Sequence, residues 1–260
     1  MPLLVIIILY QLLQIIALPM IIVFLVTLHI KRKIIGNFWQ RLGFVPHATH
    51  TTHRIFWIHA VSVGETLSVE HFIKRLKEKF PDSRCYLTVG TIAGKRIAQS
   101  HLKSADWISY LPYDFLPCIM LAYHRIKPSV VFIAESELWP NFIATAYYKD
   151  IPLIWLNARI NPYSRTRFVL FRRILSPLIT CFSHIFAQSS YDQDEFQAIG
   201  IAPERINILG NIKVFNVIEK RAEYKPWSHL SARFRSRKSG IIEQMKLVPQ
   251  LNRPRHMPDP

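Results

Sequence analysis

Ile55-Phe56-Trp57-Ile58-His59-Ala60-Val61 leads directly into Ser62-Val63-Gly64-Glu65, and Val130-Val131-Phe132-Ile133-Ala134 leads into Glu135-Ser136-Glu137-Leu138-Trp139-Pro140-Asn141. Each stretch opens on a short run of β-branched and aromatic residues, the composition of a buried strand, and each run ends in a carboxylate. In an open parallel α/β sheet, ligands bind outside the carboxyl ends of the strands. Acidic groups delivered to that rim, in a chain of formal charge +16, mark a candidate site.

Outward from these two strands the pattern alternates. Val69, Phe72, Ile73, Leu76 and Phe80 recur at the spacing of one helix face, and Pro81-Asp82-Ser83 breaks that helix. Strands are predicted at Cys85–Val89, Trp107–Leu111, Leu153–Leu156, Ile185–Ala187 and Ile206–Leu209. Helices are predicted near Gly94–Leu102, Met120–Arg125, Asn141–Tyr148, Ser164–Phe182 and Tyr191–Ile199. Strands separated by helices imply right-handed βαβ crossovers and a sheet covered on both faces. The fold class is therefore α/β, a doubly wound parallel sheet over residues 54–216. Residues 217–260 lose the alternation, cluster Arg233, Arg235, Arg237 and Lys238, and close on prolines. Such a tail buries little apolar area and reads as irregular.

The other end of the chain is apolar. From Leu3 to Ile30 there is no charged side chain, which exceeds the roughly 20 residues needed to cross a bilayer. The basic cluster Lys31, Arg32, Lys33 follows this run rather than preceding it, unlike the arrangement of a cleavable signal peptide. Residues 1–33 thus read as a single-pass membrane anchor helix with a basic flank, the remainder facing the cytoplasm. A buried hydrophobic helix or a removed targeting segment are the alternatives. Residues 34–53 read as a basic, aromatic juxtamembrane segment tapering into a linker. Lys31, Arg32, Lys33 and Arg41 are expected to meet anionic headgroups, each contributing about 1 kcal/mol. No nucleic-acid-binding pattern accompanies the positive charge, which leaves an anionic membrane surface or a phosphorylated substrate as partner.

Cys85, Cys118 and Cys181 form no paired motif, and His47, His50 and His53 lack acidic or thiol company, so no metal site is expected. Gly90-Thr91-Ile92-Ala93-Gly94-Lys95-Arg96 imitates a phosphate-binding loop but is one residue short between its glycines. It also carries Arg96 where Ser or Thr must hold magnesium. At the rim, Glu65 reads either as a general base or as a carboxylate serving its own helix N-terminus. Glu135 and Glu137 carry the same ambiguity. Arg159, in Asn157-Ala158-Arg159, also follows a strand, as does Lys213 in Gly210-Asn211-Ile212-Lys213. Both are candidate anion partners.

His59-Ala60-Val61-Ser62-Val63-Gly64-Glu65, Leu111-Pro112-Tyr113-Asp114, Glu135-Ser136-Glu137-Leu138-Trp139-Pro140-Asn141, Asn157-Ala158-Arg159, Ala187-Gln188-Ser189 and Gly210-Asn211-Ile212-Lys213 occur in the order found in 3-deoxy-D-manno-octulosonic acid (Kdo) transferases. The chain resembles the N-terminal half of these lipopolysaccharide-assembling enzymes of the Gram-negative inner membrane. The resemblance implies the N-terminal Rossmann-like domain of a GT-B fold. It also implies inverting, metal-independent transfer of Kdo from CMP-Kdo to a lipid A precursor (lipid IV-A), with no cofactor. By the same resemblance Glu65 is the proton acceptor, and Glu135 and Lys213 stabilise the transition state. The resemblance further implies that Ser62, Gly64, Glu137, Asn141 and Arg159 line the substrate pocket. The chain departs from the family after Lys213, where Val214-Phe215-Asn216 replaces the usual Phe-Asp and no donor-binding domain is recognisable. The expectation is little activity from this chain alone, because donor and acceptor must be juxtaposed. A non-catalytic, membrane-anchored protein that binds a lipid A precursor or acts as a scaffold is the alternative.

Overall fold

The structure, a computed structural model, describes residues 2–30, 37–48, 53–135, 137–160 and 172–211. The basic flank 31–33, Lys213 and the tail 217–260 lie outside the described residues.

A seven-stranded sheet forms the centre. In chain order its strands are β1 (Arg54–Ala60), β2 (Ser83–Val89), β3 (Trp107–Tyr110), β4 (Val130–Ala134), β5 (Leu153–Ala158), β6 (His184–Ala187) and β7 (Ile206–Ile208). They are arranged β3-β2-β1-β4-β5-β6-β7, and every neighbouring pair is parallel. The chain winds outward from β1 in one direction, then returns to begin β4 on its other side. The expected doubly wound sheet is therefore present, with its switch point between the two strands singled out from the sequence.

Alternation along the strands builds two cores. Ile55 and Trp57 of β1 join Val131 and Ile133 of β4 and Trp155 of β5 on one side; Phe56, Ile58, Phe132, Ile154 and Leu156 occupy the other. Over the second core lie α3 (Val63–Lys79) and α4 (Ile92–His101), with Val69, Phe72, Ile73 and Leu76 buried as their spacing predicts. The first core is covered by α5 (Leu116–Ile126), α6 (Pro140–Tyr148), α7 (Arg172–Ile179) and α8 (Ser190–Ala198). Trp57 sits edge-on to both Tyr123 and Phe142, each at 4.8 Å, which locks β1 to α5 and α6.

Three expectations need correction. The helix expected over Ser164–Phe182 is described only as α7, and residues 161–171 lie outside the described part. Pro177 within it supplies no backbone donor. The helix ends in tight turns, Cys181 N–H to Leu178 O and Phe182 N–H to Ile179 O. Second, residues 37–48 are not a tapering linker. They form the short helix α2 (Phe38–Arg41) and pack on the domain, with Val45 fully buried and its carbonyl accepting from Arg125 Nε at 2.6 Å. Third, Arg41 does not face headgroups. Its guanidinium donates to Leu111 O at 2.9 Å and to Gly90 O and lies 4.6 Å above the Tyr110 ring. Two carbonyls at the ends of β2 and β3, with an aromatic face beside them, make a better seat for a planar cation than open water.

The apolar run forms one helix, α1 (Leu3–Ile30). By length and composition, its Leu3–Phe24 stretch is able to cross a membrane.

Candidate active site

Glu65 sits in the first turn of α3, immediately after β1. Ser62 is the helix N-cap: its side chain accepts from Glu65 N–H at 3.2 Å and donates to Glu65 Oε1 at 2.8 Å. The second carboxylate oxygen accepts from Val61 N–H at 2.7 Å. This is a capping box displaced by one residue at its far end, and it leaves Glu65 only 8% exposed. Gly64 lies in the same turn, exposed. Its φ is not positive, so the turn itself does not require a glycine.

The neighbouring strand end holds this turn close. Gly90, just after β2, donates its N–H to Val61 O at 3.2 Å, and a Cβ there would lie 2.5 Å from Val61 Cγ1. The glycine of the false phosphate loop is thus needed for the packing of two strand ends.

Glu135 leaves β4 with φ +58°, a left-handed conformation uncommon for a residue with a side chain, at a cost of about 1–3 kcal/mol. Its N–H donates to Leu156 O at 2.9 Å, and its carbonyl accepts from Trp155 Nε1. These bonds to β5 hold the bend. Asn157 at the end of β5 is also left-handed, φ +56°, where the pairing with β6 shifts register. That shift moves Ala158 to the same side as Trp155. Two strained strand exits therefore lie side by side on the carboxyl rim, the placement in which backbone strain points to a binding site.

Glu137 is half-buried and accepts from Trp139 Nε1 at 2.8 Å. Its pKa is raised above the ordinary carboxylate value, first by burial and then by the negative charges of Glu65 and Glu135. The glutamates from the two switch-point strands are thus close enough to act electrostatically on one another. Among the described residues, no group of three or more His, Cys, Asp or Glu is placed to hold a metal ion.

Asn141, expected to line the pocket, is fully buried. Its Nδ2 donates to Asp114 O and, at 3.3 Å, to Gln14 Oε1, while its Oδ1 accepts from Gln11 Nε2. Its amide is committed on both sides and braces α6 against α1 and the backbone at Asp114. Arg159 is exposed just beyond β5. Lys213 lies outside the described residues.

Two carboxylates not singled out from the sequence organise this rim. Asp114 accepts Asn141 N–H at 3.0 Å and Phe142 N–H at 2.9 Å, capping α6, whose own N-cap Trp139 offers no side-chain acceptor. Burial raises its pKa from 3.8 to about 7 against the opposing pull of those donors and of Tyr10. Asp192 repeats the arrangement of Glu65 after β6. It pairs with its N-cap Ser189 at 2.5 Å and accepts Ile160 N–H at 2.8 Å, fixing the backbone next to Arg159. A Ser-x-x-Asp spacing after a strand was the available sequence signal for Asp192. Asp114 stands in the quoted Leu111-Pro112-Tyr113-Asp114 motif, but its capping role had no local signal, because the helix it caps begins more than twenty residues later.

A family model described as 3-deoxy-D-manno-octulosonic-acid transferase (kdotransferase) matches residues 36–216, more than half of the chain. The 3-deoxy-D-manno-octulosonic acid transferase of Haemophilus influenzae is 28% identical over 205 residues, 78% of this chain and 48% of that protein. That of Rickettsia prowazekii is 33% identical over 164 residues, 63% and 35% respectively. A probable mitochondrial 3-deoxy-D-manno-octulosonic acid transferase of Arabidopsis thaliana is 31% identical over 197 residues, 73% and 44%. The chain spans about half the length, or less, of these curated relatives. Among solved structures, the UDP-GlcNAc 2-epimerase of Methanocaldococcus jannaschii aligns with TM-score 0.51 at 16% identity, over 70% of this chain and 53% of that one. The Neisseria meningitidis UDP-GlcNAc 2-epimerase aligns with TM-score 0.50 at 13% identity, over 68% and 52%. These two share the fold alone. The ordered rim motifs, the strand order that gathers them and the family match over residues 36–216 agree, and the chain belongs to the 3-deoxy-D-manno-octulosonic-acid transferase family.

Proposed function

We propose that this chain is the acceptor-binding half of a GT-B Kdo transferase of lipopolysaccharide biosynthesis, with CMP-Kdo as donor and a lipid A precursor as acceptor. The observation that carries the reading is the convergence of Glu65, Glu135 and Glu137 on the switch point inside the matched span. Glu65 takes the proton of the acceptor hydroxyl as that oxygen forms its bond to the anomeric carbon. The bond to the CMP phosphate breaks on the opposite face, which inverts the centre. Each Glu65 oxygen accepts one hydrogen bond, from Val61 N–H and from Ser62 Oγ, and a carboxylate oxygen has a second lone pair to offer. In this reading Glu135 faces the positive charge that develops on the sugar, while Lys213 and Arg159 offset the donor's carboxylate and the leaving phosphate. The step calls on no metal or cofactor. Membrane attachment through α1 keeps the lipid acceptor at hand, on the cytoplasmic side of the inner membrane if the basic residues after α1 follow the positive-inside bias.

A second reading, a non-catalytic protein that holds a lipid A precursor, draws on the commitment of both Glu65 oxygens to their own turn. Kdo incorporation into the precursor, measured with a donor-binding domain supplied as a separate polypeptide, divides the two. Turnover that Glu65→Ala lowers by about 10²-fold or more supports transfer. Precursor binding without turnover under either condition supports the scaffold.

A further inference from the structure

Helix α1 is docked on the domain over its first half and bare beyond it. Ile6 and Ile7 are 4% and 8% exposed, and Ile7 belongs to the core under α5 and α6, with Leu3 packed against it. One and two turns further along the same face, Gln11 donates to Asn141 Oδ1. Gln14 donates to Asp114 O at 2.8 Å and accepts from Asn141 Nδ2. From Ile15 onward the picture changes: Ile16 is 78% exposed, Met20 73% and Val23 65%.

A helix that crossed the bilayer over Leu3–Phe24 would place Gln11 and Gln14 near the middle of the hydrocarbon. There they could not reach a domain lying on one face of the membrane, and unpaired amides at that depth are costly. The remaining stretch, Ile15 to Ile30, is only about 24 Å long at 1.5 Å per residue, short of a hydrocarbon core of about 30 Å. The chain after α1 is also tied back to the same body, through Arg41 at Leu111 O. Next to that tie the exposed rings of Phe38, Trp39 and Phe44 form an edge-to-face cluster, the chemistry of a headgroup-level aromatic anchor.

We propose that α1 does not span the membrane but inserts its second half into one leaflet, leaving the N-terminus on the same face as the domain. The inference rests on membrane attachment through α1 and replaces the single-pass expectation with a monotopic one. The polar clamp on Gln11 and Gln14 holds the helix root beside Asp114 and Asn141, which follow β3 and β4 on the carboxyl rim. The site mouth is thereby kept at the lipid surface, where a lipid-borne acceptor hydroxyl arrives without leaving its leaflet.

Thiol accessibility in membranes tests the topology. In the Cys118→Ala background, whose other cysteines are buried, Pro2→Cys and Lys103→Cys introduce single exposed thiols before α1 and on the domain. A membrane-impermeant maleimide is applied to right-side-out spheroplasts and to inverted vesicles, with detergent-solubilised protein setting full labelling. Labelling of both positions from the same face is the expected result. Labelling from opposite faces, or of position 2 only after solubilisation, overturns the proposal. Release of the chain by alkaline carbonate would instead overturn membrane attachment itself.

Discussion

Glu65 carries two demands that pull apart experimentally. As the third residue of α3 it closes the cap with Ser62 and Val61; as the proposed base it must meet an acceptor hydroxyl. Ser62→Ala removes one acceptor for a helix N–H and one donor to the carboxylate, a loss of about 1 kcal/mol and of roughly 2–4 °C in Tm for a domain of this size. Transfer should fall modestly, since the carboxylate keeps its bond to Val61 N–H. Glu65→Ala should lower Tm to a similar extent but abolish transfer in the two-polypeptide assay. Thermal unfolding beside Kdo incorporation reads both quantities, and equal losses of activity in the two variants would sink the assignment of Glu65 as base. Sequence alone left this residue divided between base and cap, because one spacing serves both. The structure shows that the cap is real, and each carboxylate oxygen keeps a second lone pair for the proposed role as base.

At the level of elements, the joint between the loop after β3 and α6 centres on Asp114. Its carboxyl replaces the missing cap of α6, and the backbone beside it receives α1 through Gln14. Because burial raises its folded pKa from 3.8 to about 7, the folded chain holds a proton there that the unfolded chain has released. Stability attributable to Asp114 is complete below pH 4 and is lost as pH rises through 7, by at most about 4 kcal/mol at 1.36 kcal/mol per unit. Chemical unfolding in mild detergent should therefore show a midpoint falling from pH 5 to pH 8, with a flatter profile for Asp114→Asn. Identical slopes for the two chains would show that the carboxyl titrates normally. The strands at this joint were legible because β-branched runs and their turn residues are local. The joint itself was not, because Asp114 and Asn141 meet through the fold. Arg41 misled for the same reason: a cation in a basic segment looks solvated until the carbonyls of Gly90 and Leu111 are brought to it.

For the molecule as a whole, the uncharged N-terminal run was legible as membrane-seeking, while its docking was hidden, since Gln11 and Gln14 are unremarkable inside an apolar sequence. In the proposed membrane attachment two forces would hold the chain to a lipid surface, and salt separates them. The excess of cations behind the +16 formal charge attracts anionic headgroups over a Debye length of about 10 Å at 0.1 M salt, which shrinks to about 3 Å at 1 M. The exposed Leu and Ile side chains of α1 contribute about 1.5–3 kcal/mol for each one fully buried, and that contribution is insensitive to screening. Sedimentation with anionic vesicles should therefore weaken only modestly between 0.1 and 1 M salt. Ile16, 78% exposed, lies on the outward face of the second half of α1, so Ile16→Asp should spare the fold. A charge there costs about 2.5–3.5 kcal/mol on the insertion scale, an expected fall in vesicle partitioning of about 100-fold that persists in 1 M salt. Partitioning lost in high salt but untouched by Ile16→Asp would mean that charge alone attaches the chain, and that the bare half of α1 faces something other than lipid.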